Sequence, residues 1–536
     1  MGGTNTDGGM KILATNILSP LGSTTEANYR AVRQGRTALV SHAAGTRGVP
    51  FPFCAALFAD SEPDFVNLCV ESATEALYHA RIDKLRTVFI LSTTKGVIGR
   101  NPGDVAKEIS LRLGIENEPV VVCNACVSGV AAQVLAHRLL DSGFYDYAVI
   151  TGADIQGRFI ISGFHSLKAL SPVPCRPFDI DRQGLNLGEA AATMVVGREN
   201  RVVVGEDAWH ITAGAICNDA YHISNPHPKA EGTYRVLNEL LTQADATELA
   251  CVSVHGTGTM YNDQMESVAI ERAALQHVPL SALKGYYGHT MGAAGLLETI
   301  LTARALDDGI VLPSKGFEEL GVSGRISISA KDITTSQRSF LKIISGFGGV
   351  NAGVAVTRKD APAPAPSAPA SVSSVPAPEP RSLRSLRCDF IATPSPASKS
   401  RLPLVRNAVS RAVISEIDRL REQGGFHGPM HIVLFNMTST AIVDKEFLET
   451  ISDNDAYYPS PSLFVYTLPN IVTGEVAIRY GWQVETSFYV LRERNEQVIH
   501  QIVTATAHAH PGERILYGWV DRPEKEKIEL ELNIKE

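Results

Sequence analysis

Residues 119–135 read PVVVCNACVSGVAAQVL. The run Pro119–Cys123 is short and apolar apart from its ends, the mark of a strand buried on both faces. From Val127 the apolar residues recur at 127, 130, 131, 134, 135 and 139, which is helical spacing. Between the two, the chain turns on the small residues Ala125, Ser128 and Gly129, and it carries Cys126 at the turn. The same alternation continues in both directions. Met10–Leu18, RTVFILS at 86–92, YAVITG at 147–152, Cys251–His255, Phe340–Ser345 and Ala352–Thr357 read as strands, and Ala293–Leu306 as a helix. Strands alternating with helices predict an α/β fold, a mostly parallel sheet covered by helices. Residues 10–358 exceed one doubly wound sheet, so two such layers are expected.

Composition narrows the function classes. Of 536 residues, 44% are hydrophobic and 20% charged, which permits a sizeable core and excludes a disordered or collagen-like chain. A formal charge of −8 argues against a nucleic-acid binder, while a local basic patch for an acidic carrier stays open. No apolar run reaches the roughly 18 residues of a membrane span. The N-terminus, MGGTNTDGGMKILATN, lacks the basic-then-apolar pattern of a secretory signal. Eight cysteines in so long a chain suit a reducing compartment, and the cytoplasm is the expected location. Residues 1–9 read as a leader. Residues 361–380, APAPAPSAPASVSSVPAPEP, leave almost nothing to bury, and a semi-rigid linker is expected over 359–387.

Beyond it, residues 388–536 form a second α/β unit, with helices at Val405–Leu420 and Glu496–Thr506 and strands at His431–Phe435 and Arg514–Val520. Glu108–Gly114, EISLRLG, matches Glu475–Gly481, EVAIRYG, at an offset of 367, and the strands ending at Asp154 and Asp521 match at the same offset. The second unit therefore reads as a copy of the first half of the N-terminal unit.

Four motifs carry chemistry. Cys126 sits where a helix begins, so the helix dipole and unpaired N–H groups favour its thiolate. The turn is similar to a nucleophile elbow. The competing reading is a small buried hydrophobe. Cys123 completes a C-x-x-C pair but faces back into the sheet, away from redox or metal chemistry. His255 opens HGTGT at 255–259, which frees the hydroxyls of Thr257 and Thr259 for a polar ligand. His289 lies in LKGYYGHTMGAAGLLE, with Lys284 and Glu298 placed to pin the turn against the helix. GFGGVNAG at 346–353 offers Gly346, Phe347 and Gly348 in a loop whose N–H groups can face an oxyanion.

Taken in this order, with RPFDIDRQGLNLGEAAA at 176–192, these motifs resemble the β-ketoacyl synthase family of condensing enzymes from about Met10 to about Thr357. The resemblance implies a thiolase-like five-layer αβαβα fold with a C-terminal half-thiolase-like unit. It implies Cys126 as the acylated nucleophile, and His255 and His289 as ligands of the malonyl thioester carbonyl. It further implies Lys284 as a structural lysine paired with Glu298, Thr257 and Thr259 as contacts to a phosphopantetheine arm, and Phe347 as a gate whose N–H joins that of Cys126 in an oxyanion hole. The implied activity is decarboxylative Claisen condensation in fatty acid, polyketide or aryl-polyene-type synthesis, with a non-catalytic chain-length-factor-like subunit as the alternative. No metal or cofactor is implied, because the substrates ride on an acyl carrier protein. A homodimer, or a heterodimer with another synthase-like chain, is implied through the strand beside the nucleophile.

Two departures stand out. Asn124 replaces the family's usual Thr, and the stretch from Gly99 to Glu108 is short where a dimer-contact loop is usual. Residues 460–481 of the second unit contain the longer loop. Glu493 falls at the position of Cys126, so that unit reads as a catalytically inactive half-synthase whose strand Ser487–Leu491 occupies a dimer-like surface. His508 and His510 read as surface residues.

Overall fold

The computed structural model describes residues 9–59, 61–199, 207–359, 390–391, 407–424, 426 and 428–536. Residues 1–8 of the expected leader and 360–387 of the expected linker lie outside them. Among the described residues the main sheet has sixteen strands; apart from the short edge strand Ser327–Ile328 beside Pro279–Ser281, they form three sets of five. The first set is β1 (Met10–Leu18), β2 (Thr87–Ser92), β3 (Val120–Val122), β4 (Tyr147–Asp154) and β5 (Ala190–Arg198). The second is β6 (Ala208–Asn218), β7 (Leu249–Ser253), β8 (Pro279–Ser281), β9 (Ser339–Gly346) and β10 (Val350–Lys359). The third is β11 (Phe390–Ile391), β12 (His431–Asn436), β13 (Thr486–Val490), β14 (Ile515–Glu524) and β15 (Lys527–Lys535).

Their order across the sheet is β8-β7-β9-β10-β6-β1-β5-β4-β2-β3-β13-β12-β14-β15-β11. Within each set the strands lie in the order third, second, fourth, fifth, first. The second strand is parallel to the third and fourth, and the fifth is antiparallel to the fourth and the first. The fold is thus one supersecondary unit used three times. β2, β3 and β7 are buried at every position, as continuous apolar strands between helical layers must be.

Helices Ser128–Asp141 and Ala294–Asp307 lie between the first two sets and are buried almost all round. Their backbones touch: a Cβ on Gly129 would lie 3.0 Å from the nitrogen of Gly295, so only glycine fits. Helices Phe65–Tyr78 and Pro102–Arg112 cover the outside of the first set, and Glu231–Leu240 and Met260–Arg272 the outside of the second. The result is helix, sheet, helix, sheet, helix, the thiolase-like arrangement expected from the motifs. No helix among the described residues is long and apolar enough to cross a membrane.

The third set joins the first through β3 and β13, which pair antiparallel with Tyr489 opposite Val122 and Val490 opposite Val121. Asn124 finds its use here: its side-chain oxygen Oδ1 accepts the N–H of Phe488 at 2.8 Å. The copies match in detail as well as in order. Asp154 accepts the hydroxyl of Thr93 at 2.7 Å, and Asp521 accepts that of Thr438 at 2.5 Å, each tying the end of a fourth strand to the end of a second.

Buried polar contacts reinforce the seam. Arg138 holds both oxygens of Glu485 at 2.7 and 2.8 Å, and Lys95 reaches Asp444 at 2.6 Å and Thr440 at 2.8 Å. His510 corrects the surface reading. The helix Glu496–Ala509 ends before it, and the ring turns inward onto Glu485 at 2.7 Å and stacks 3.7 Å from His431. His508 is exposed, 3.2 Å from the hydroxyl of Ser142. Ligating atoms of His431, Glu485 and His510 lie within 4.8 Å of one another, yet both Glu485 oxygens are committed to Arg138 and His510.

Candidate functional site

Cys126 lies in a short turn, Ala125–Val127, between β3 and the helix Ser128–Asp141. Ala125 holds a left-handed φ of 49°, the strained geometry of an elbow that lifts the next side chain off the sheet. The second half has a matching turn in which Met291 holds φ at 53°. Asp154 ties this second turn to the end of β2, accepting the N–H of Gly292 at 2.7 Å and the hydroxyl of Thr93 at 2.7 Å. Cys123 points away, its thiol 3.2 Å from the carbonyl of Thr93.

Burial opposes the expected thiolate in the resting site. Burial pushes the Cys126 thiol up to about 12, while Lys284 and the backbone N–H groups of Cys126 and Phe347 pull the other way. The helix terminus is outweighed because the thiol is largely buried, with Cys126 7% exposed.

His255 and His289 face each other edge to face, with centroids 5.2 Å apart. Burial, then the nearby Lys284, hold both rings well below the usual histidine range, so both are neutral at pH 7. His289 Nδ1 accepts the N–H of Met291 at 3.4 Å, which leaves Nε2 to carry the ring proton. That Nε2, and Nδ1 of His255, are buried with no partner among the described residues. Unpaired buried nitrogens beside a nucleophile are groups kept for a ligand.

Beneath them lies a charge cluster. Glu298 accepts Lys284 at 2.7 Å, as the sequence suggests, and also Lys342. Lys284 donates to the carbonyl of His255 at 2.6 Å, and Lys342 to that of Val254 at 3.1 Å. Burial alone would raise Glu298, but the two ammonium groups outweigh it and hold the carboxyl below its ordinary value. Lys342 escapes a reading by motif; its signal is a lone charge inside the buried strand FLKIIS. Glu266 escapes too. Its carboxylate accepts the N–H groups of His255 and Gly256 at 2.6 and 2.8 Å, and burial raises it to about 7.

Thr257 is buried and its hydroxyl lies 2.9 Å from that of Thr259, with Asp263 accepting the N–H groups of Thr257 and Gly258. The loop Gly346–Gly348 lies directly on the elbow: a Cβ on Gly346 would be 3.2 Å from the Cys126 nitrogen. The site thus gathers Cys126, His255, Lys284, His289, Glu298 and Phe347, and the two threonines follow His255 in the same loop. The C-terminal unit closes one wall. Phe447 and Phe464 join Phe159, Phe164, Met291 and Cys126 in a single apolar cluster. Phe464 lies so close on Gly163 that any Cβ there would collide with its ring.

The two neutral histidines set a pH dependence. Their folded values lie below the unfolded value near 6.5, so the unfolded chain binds more protons as pH falls. Stability present at about pH 7 is lost below about 6.5, at about 1.4 kcal/mol per pH unit for each ring. Thermal unfolding of the parent protein and of His289→Gln between about pH 7 and 5 is expected to show a shallower decline in the variant.

The comparisons agree with this geometry. Residues 89–201 match the family model described as Beta-ketoacyl synthase, N-terminal domain, and residues 210–318 the one described as Beta-ketoacyl synthase, C-terminal domain. The 3-oxoacyl-[acyl-carrier-protein] synthase 2 of Rhizobium meliloti (strain 1021) is 31% identical over 48% of this chain and 65% of its own length. The chain spans about two thirds of the curated relatives it matches, between 64% and 69% for the first four. Among solved structures, a ketosynthase (ApeO) in complex with its chain length factor (ApeC), from Xenorhabdus doucetiae, has a TM-score of 0.56 at 24% identity, covering 67% of this chain and 100% of that one. The PfaC keto synthase–chain length factor has a fold similar to 96% of this chain, over 74% of its own length, with a TM-score of 0.74 at 14% identity. Residues 89–201 and 210–318 thus match, in chain order, both domain models of the β-ketoacyl synthase family, and the cysteine and two histidines of the motifs are gathered at the junction of those halves.

Proposed function

We propose that the chain is a working β-ketoacyl-[acyl carrier protein] synthase. The observation that carries this reading is the pair of buried imidazoles His255 and His289, edge to face with centroids 5.2 Å apart and each with an unpartnered nitrogen, together with the Gly346–Gly348 loop lying on the Cys126 elbow. In the first step Cys126 sulfur attacks the carbonyl of an acyl thioester. The N–H groups of Cys126 and Phe347 hold the oxyanion, and the carrier thiol leaves with the proton of Cys126. In the second, malonyl thioester binds with its carbonyl oxygen toward His255 and His289. Its C–C bond breaks, CO₂ departs, and the electron pair becomes an enolate held by the two imidazoles. That carbon attacks the Cys126 acyl carbonyl. Collapse expels the Cys126 thiolate, which takes a proton from solvent, and releases the β-ketoacyl thioester. No step needs a cofactor, since both acyl groups arrive on carrier phosphopantetheine past Thr257 and Thr259.

The test is intact mass after incubation with an acyl donor and a malonyl carrier. An acyl adduct that disappears as β-ketoacyl product forms is expected. No adduct with any acyl length would instead favour a non-catalytic, chain-length-factor-like subunit.

On this reading the C-terminal unit stands in for a second subunit and closes the acyl pocket. Phe464→Ala removes a buried phenyl at the wall, with an expected cost of about 3–5 kcal/mol. The space it frees is expected to shift the longest acyl group accepted on Cys126 upward, read by the masses of the adducts.

A further inference from the structure

The loop that carries Phe347 is held from outside its own fold. Asn470 is the residue just before helix Ile471–Tyr480 of the C-terminal unit and is 2% exposed. Its side-chain amide donates to the carbonyl of Phe347 at 2.8 Å. Its oxygen Oδ1 is buried with no partner among the described residues. An amide kept half-satisfied in a buried seam has a use for the half that is satisfied. Around this bond the two backbones are in contact. A Cβ on Gly348 would lie 2.7 Å from the Asn470 amide nitrogen, and one on Gly474 would collide with the carbonyl of Gly348. A second tie runs through Asn218, whose amide donates to Gly348 at 2.8 Å and to the hydroxyl of Thr486 in β13 at 3.1 Å.

The pseudo-symmetry of the two copies sharpens the point. The position matching Asn470 in the first copy is Gly103, and a Cβ there would collide with the backbone of Leu491 and Arg492. Those residues match Asn124 and Ala125, beside the position of the missing nucleophile. On the side with no cysteine the seam has a bare glycine. On the side with Cys126 it has an amide that grips the oxyanion loop.

We propose that Asn470 is a positioning residue: by holding the Phe347 carbonyl it aims the N–H of Phe347 at the oxyanion, so the C-terminal unit takes part in every acylation of Cys126. This rests on the function proposed above. The experiment compares the parent protein with Asn470→Ala and with the isosteric Asn470→Asp, which replaces the donor by an acceptor. Three quantities are measured: the rate of Cys126 acylation by acyl carrier thioester, the rate of Cys126 alkylation by iodoacetamide, and hydrogen exchange of peptides spanning 344–352. Alkylation passes through no oxyanion. Acylation is expected to slow by about 10- to 100-fold with the donor misplaced, through its maximal rate rather than through KM. Alkylation, which needs the thiolate but no oxyanion, is expected to slow much less than acylation, and exchange at 346–349 to quicken.

Unchanged acylation in Asn470→Asp overturns the proposal. So does an equal loss of acylation and alkylation in both variants, which marks a collapsed site. If the parent protein takes no acyl group, the function reading fails instead, and exchange alone decides the clamp. Faster exchange in the variants then supports it, and unchanged exchange overturns it.

Discussion

Cys126→Ala is expected to lower condensation by about four to six orders of magnitude, as loss of a covalent nucleophile does elsewhere. The scale follows from what the sulfur supplies. On the proposed function, without it the acyl group has no place to wait while the malonyl unit loses CO₂, and one difficult encounter of two carrier-bound thioesters replaces two easier steps. The fold is expected to survive, because the side chain is small and alanine fits the elbow at its ordinary dihedral angles. The measurement is the rate of β-ketoacyl product together with intact mass. Product at the parental rate with no adduct on the variant would place the nucleophile elsewhere.

Glu298→Gln is expected to destabilise the protein by about 3–5 kcal/mol, the cost of leaving buried charge uncompensated. One carboxylate serves two ammonium groups here, and Lys284 and Lys342 are 1% and 0% exposed. The glutamine keeps the shape and removes the charge, so the two lysines must repel each other or lose a proton. Chemical unfolding reads the cost. Replacing all three residues with apolar side chains of similar volume is expected to recover most of the stability, since buried ion clusters are often no more stable than such replacements. Activity is expected to stay lost, because Lys284 also holds the carbonyl of His255. Recovery of activity along with stability would reduce the cluster to a packing element.

The candidate residues legible in the sequence announce themselves through local chain geometry. Cys126, His255 and His289 each sit at a turn rich in small residues, where the backbone must bend sharply and a reactive side chain must be presented. Glu298 and Lys284 follow because they flank such a turn. What the sequence hides is whatever depends on distant chain meeting at the site. Glu266 looks like one more acid on an amphipathic helix, and Asn470 like an ordinary residue before a helix, until folding brings them to His255 and Phe347. The protonation of Cys126 is hidden for the same reason, since the helix terminus is local and the burial that overrides it is not. Two strands of the third set were available but subtle. KIELELNIK at 527–535 alternates cleanly, with Ile528, Leu530 and Leu532 buried, and β11 is only two residues long.

The pairing of β3 with β13 changes what dilution can do. An edge that another polypeptide would fill only above its dissociation constant is filled here by the same chain, at an effective concentration fixed by the tether. Specific activity should then hold constant as the protein is thinned, where an assembly of separate chains would fall apart into halves with an open strand beside the nucleophile. The ratio of the active unit to the unit that walls it in is likewise fixed at synthesis. It cannot be shifted by unequal expression, nor can a foreign subunit exchange into the seam without first displacing a covalently attached competitor.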